Sequence, residues 1–122
     1  MATVIHPYLA QSWLQSLVDT PCYAGAFFEV PSTATPGARE CLTASYARAI
    51  LTWDFTTSTS RTIWNIQKLQ WLNLQDTVIA GIGAWDSPVG GHLLAFWQLP
   101  TSVTITGRGS YQLDANTVIL AI

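Results

Sequence analysis

Charge is what this 122-residue chain has least of. Charged residues make up 10% of it, where about 25% is usual. A free monomer needs polar groups to cover its surface, so part of this surface is expected to be covered by something else. The five basic residues, Arg39, Arg48, Arg61, Lys68 and Arg108, are scattered. Nucleic-acid binding needs a concentrated basic face, and that partner class is set aside. Long apolar runs are missing too. No window approaches the ~20 residues of a spanning helix, so no membrane partner is expected. No basic region precedes an apolar run near the N-terminus, and no secretion signal is expected. Only two cysteines occur, Cys22 and Cys41. They would pair only in an oxidising compartment, and free buried thiols are the favoured reading.

The residues of known chemistries are equally sparse. His6 and His92 lie far apart with no metal-ligand spacing, and the cysteines lack paired ligands, so neither metal nor cofactor is expected. Gly81-Ile82-Gly83 has no third glycine at dinucleotide spacing and no following helix. Those glycines are read instead as places where a large ring packs flat on a strand. Asp54, Asp76, Asp86 and Asp114 each sit near a predicted turn, where Asp bonds its own backbone. No serine lies in a nucleophile elbow. The expected class is non-enzymatic.

What is abundant is apolar and aromatic. Hydrophobic residues reach 49%, with six tryptophans. From Thr77 to Leu99 two apolar runs flank Asp86-Ser87-Pro88 and Gly90-Gly91, which reads as two antiparallel strands and a short loop. Pro7 suits an early helical position, and Leu9, Trp13, Leu14, Leu17 and Val18 recur at helical spacing. The spacing predicts one helix over about 7–18, its apolar stripe lying on a sheet or a neighbouring subunit. Strands are expected over Tyr23–Val30, Tyr46–Trp53, Thr62–Leu72, 77–85, 92–99 with Pro100 as its end, Thr101–Thr106, and Thr117–Ile122 as a buried closing strand. Thr56–Ser60 and Gly107-Arg108-Gly109 read as turns. Pro31 to Glu40 reads as a long extended loop pinned by a partner. The whole predicts one domain over 1–122: mainly β, an antiparallel β-sandwich (jelly-roll-like) with one N-terminal α-helix.

The order of these segments carries a resemblance. Helix, strand and Thr/Pro/Gly loop are followed by Ser45-Tyr46-Ala47-Arg48, then Trp85-Asp86-Ser87, then Gly90-Gly91-His92-Leu93-Leu94 and a final pair of strands. This set resembles a family of small tailed-phage virion proteins with tail-fibre-like or adhesin-like β-sandwich domains. The resemblance implies a structural protein on the virion surface, assembled in the bacterial host cytoplasm, oligomeric and commonly trimeric. With no shaft or tail-docking segment evident, capsid decoration (cement) on the major capsid protein is the first expectation. The alternative is a tail-fibre or receptor-binding module that contacts tail proteins and a host-surface glycan.

Candidate contact residues are Trp13, Tyr46, Arg48, Trp85, Trp97, Pro31 and Pro36. Arg48 lies in an apolar strand with Tyr46 on the same face. Two roles stay open for it: an inter-subunit salt bridge or hydrogen bond to a loop carbonyl, or a solvated outward face.

Overall fold

The computed structural model describes residues 4–41, 46–54, 62–115 and 117–121. Helix α1 covers Pro7–Val18, the predicted span. Pro7 opens it where a missing N–H costs nothing. Asp19 N–H closes onto Gln15 O at 2.9 Å, Thr20 Oγ1 donates to Ser16 O at 2.8 Å, and Pro21 stops any continuation. Only part of the expected stripe is buried. Ala10 and Leu14 reach the core, with Leu17 and Val18 against it. Leu9 and Trp13 remain exposed.

The strands, in chain order, are β1 (Cys22–Phe27), β2 (Ala49–Leu51), β3 (Trp53–Asp54), β4 (Thr62–Asn65), β5 (Leu69–Leu74), β6 (Thr77–Trp85), β7 (Leu93–Ile105), β8 (Gly109–Leu113) and β9 (Ile119–Ala121). All described pairings are antiparallel. A four-stranded sheet runs β2-β1-β6-β7, a three-stranded one β3-β4-β9, and β5 pairs with β8. The chain is therefore mainly β with one helix near its N-terminus.

Register sorts the four-stranded sheet into two apolar faces. Ala24 lies opposite Ala84, and Ala26 opposite Ile82. Ile82 in turn lies opposite Trp97. With a side-chain period of two, these residues share one face, and all but half-buried Trp97 are fully buried. Against it pack Leu14, Leu51, Trp53, Ile63, Leu69, Trp71, Ile79 and Ile105 in one cluster. Small alanines on the sheet leave room for Trp71, whose Nε1–H donates to Ala24 O at 3.1 Å. Both thiols are free and buried, as read from the sequence.

The structure departs from the expected strands at several points. β1 ends at Phe27, not Val30. The run expected over Tyr46–Trp53 is two short strands in different sheets, hinged at Thr52, whose carbonyl accepts from Ile66 N–H. Thr62–Leu72 is likewise broken at 66–68 into β4 and β5. Asn65 closes that break by donating Nδ2–H to Gln67 O at 2.8 Å. Pro100 does not end its strand. β7 is an edge strand, and the register slips there: Ala80 alone intervenes on β6 against Leu99–Ser102 on β7. An edge bulge tolerates proline because no ladder donor is lost. The closing strand is Ile119–Ala121, with Ile119 exposed rather than buried. The turn expected at Thr56–Ser60 lies outside the described residues.

Candidate functional site

The second face of the four-stranded sheet is floored by glycine. Gly25 lies opposite Gly83, Phe27 opposite Gly81, and Tyr23 opposite Trp85. A Cβ on Gly81 would lie 2.2 Å from Phe96 Cζ, and one on Gly83 2.5 Å from Phe27 Cε1. The rings therefore sit where side chains would otherwise stand, as expected for the Gly-x-Gly pair. Phe27 stacks on Trp85 at 6.1 Å and meets Phe96 edge-on at 5.4 Å.

Over this floor sits a buried polar cluster. Glu40 follows a 3₁₀ turn at Pro36–Arg39 and bridges to Phe27. Arg48 grips its carboxylate with two donors: Nε–H to Oε2 at 2.9 Å and Nη2–H to Oε1 at 2.8 Å. The side chains are 7% and 4% exposed, so this bidentate pair is desolvated, geometry that suits guanidinium and not ammonium. Tyr46 donates its hydroxyl hydrogen to the same carboxylate and accepts Ala26 N–H at 2.9 Å. Burial pushes the Tyr46 phenol well above its usual range, and the hydrogen bond to Glu40 pushes the same way. Gly25 makes the space: a Cβ there would lie 2.4 Å from Glu40 Oε2 and 2.9 Å from Tyr46 Oη.

Arg48 also reaches a second loop. Its Nη1 donates to Ser87 O and Gly90 O, both at 2.7 Å. The loop is closed at its base by Asp86 and His92. His92 N–H donates to Asp86 Oδ1 at 2.7 Å, and its Nδ1 lies 3.0 Å from Oδ2. The backbone bond from His92, followed by its side-chain bond, lowers the Asp86 pKa below the usual value. Gly90 and Gly91 supply the positive φ values of the reversal. Val89 stands exposed at the tip.

The contact candidates are thus placed in different surroundings. Tyr46 and Arg48 belong to the cluster, and Arg48 is not solvated: its ion pair and carbonyl bonds lie within its own chain. Trp85 is buried beneath Arg48 and Phe27. Trp97 is half-buried, donating Nε1–H to Ile119 O at 2.7 Å and tilting on Trp53. Pro31 and Pro36 are half-buried in a loop that the chain closes itself. Phe28 N–H bonds Arg39 O, Cys41 N–H bonds Ala26 O, and Arg39 pairs with Glu29. That loop is folded back and not extended, since Pro36 opens the 3₁₀ turn. Trp13 alone presents about half its surface.

Sequence reasoning missed Glu40 and Gly25. The available signal was Arg48 itself: a guanidinium in an apolar strand needs a carboxylate, and Glu40 lies eight residues before it. Of the aspartates, Asp86 latches its own loop, whereas Asp76 does not bond its own turn but accepts Gly107 N–H from the turn 31 residues later at 2.6 Å. The Asp114 carbonyl accepts from Asn65 and Thr117. Asp54 ends β3. Among the described residues no three His, Cys, Asp or Glu side chains converge on a metal position. Chemically, the cluster can hold two loops rigidly against one sheet face.

A family model described as Podophage GP4 fiber I protein gp80 matches residues 7–121. No curated protein matches the chain.

Proposed function

We propose that this chain, which belongs to the Podophage GP4 fiber I protein gp80 family, is a non-enzymatic building block of the phage tail fibre on the particle exterior. The observation that carries the reading is the extent of the family match, which takes in the helix, the glycine-floored sheet and both tethered loops. The family's description names a fibre, so support passes from capsid decoration, the first expectation, to the tail-fibre alternative. The geometry is consistent with a structural part. Its buried ion pair fixes loops, and Glu40 and Asp86 are already engaged by Arg48 and His92. We read residues 1–122 as one unit, because a single core cluster draws on α1 and all three sheets.

The test is a phage carrying a stop codon in this gene. The fibre reading expects filled, stable heads whose tails lack fibre density and whose adsorption to host cells is lost. Normal adsorption with heads that burst on mild heating would restore the decoration reading and overturn this one.

A further inference from the structure

We draw no further inference here: the strongest candidate, the cleft between the Tyr46–Arg48 segment and the loop tip at Pro88–Gly90, belongs to the site already described, where Glu40, Tyr46 and Arg48 are engaged within the chain, and nothing in the structure shows what its apolar wall of Pro88 and Val89 would receive.

Discussion

The guanidinium of Arg48 lies 3.9 Å from the centroid of the Trp85 ring, while the same group holds Glu40 by two bonds and two loop carbonyls by two more. A cation desolvated over an indole face is stabilised by the ring quadrupole. Its removal leaves Glu40 buried and unpaired. Arg48→Met should destabilise the fold by roughly 3–5 kcal/mol, and adding Glu40→Gln should recover part of that loss. Urea unfolding of the single and double variants measures it. A single variant as stable as wild type would show that the pair contributes nothing.

The glycines separate crowding from backbone strain. Gly81→Ala must displace Phe96 and also crowds the Trp97 carbonyl, 2.6 Å from the added Cβ, and should cost about 1–3 kcal/mol. Gly90→Ala meets no atom within 4 Å but sits at φ +64°, and should cost roughly 1–2 kcal/mol from the left-handed backbone alone. Thermal unfolding compares them. Only the Gly81 loss should shrink when Phe96 is trimmed to Leu.

The side chain of Asn65 is fully buried and makes four hydrogen bonds. It donates to Gln67 O and Asp114 O and accepts Thr117 N–H and Val118 N–H. Asn65→Leu keeps the branching of the side chain and orphans those groups, at about 1–3 kcal/mol for each one left buried. Amide exchange should rise at Val118 before it rises in β1. Uniform exchange across both would deny Asn65 a local role.

The 86–92 latch depends on pH with a definite sign. The folded pKa of Asp86 is lowered, chiefly by the backbone bond from His92. The latch therefore contributes in full above the unfolded aspartate value, about 4, and is lost as pH falls through the lower folded one. The His92 amide should begin to exchange faster in that window, and Asp86→Asn should abolish the step.

Much of this architecture was legible in the residues, and its failures have physical causes. Helix α1 and strand β6 declare themselves through Pro7 and through an unbroken apolar run. The break between β4 and β5 was hidden because Ile63, Asn65, Leu69 and Trp71 all keep the same parity and are all buried. Alternation persists through a turn that carries the chain into another sheet. Helical spacing marked Trp13 and Leu14 alike as apolar but could not say what covers each. Glu40 was hidden for a different reason: its burial requires the missing side chain of Gly25, fifteen residues earlier, and the guanidinium of Arg48.

The central claim is membership of the tail fibre, and its most direct measurement is where the protein sits on the particle. Gold-labelled antibody against the purified chain, imaged on intact virions, should decorate the fibres at the tail and leave the head bare. Gold spread over the capsid shell, or none on any purified particle, would contradict the account.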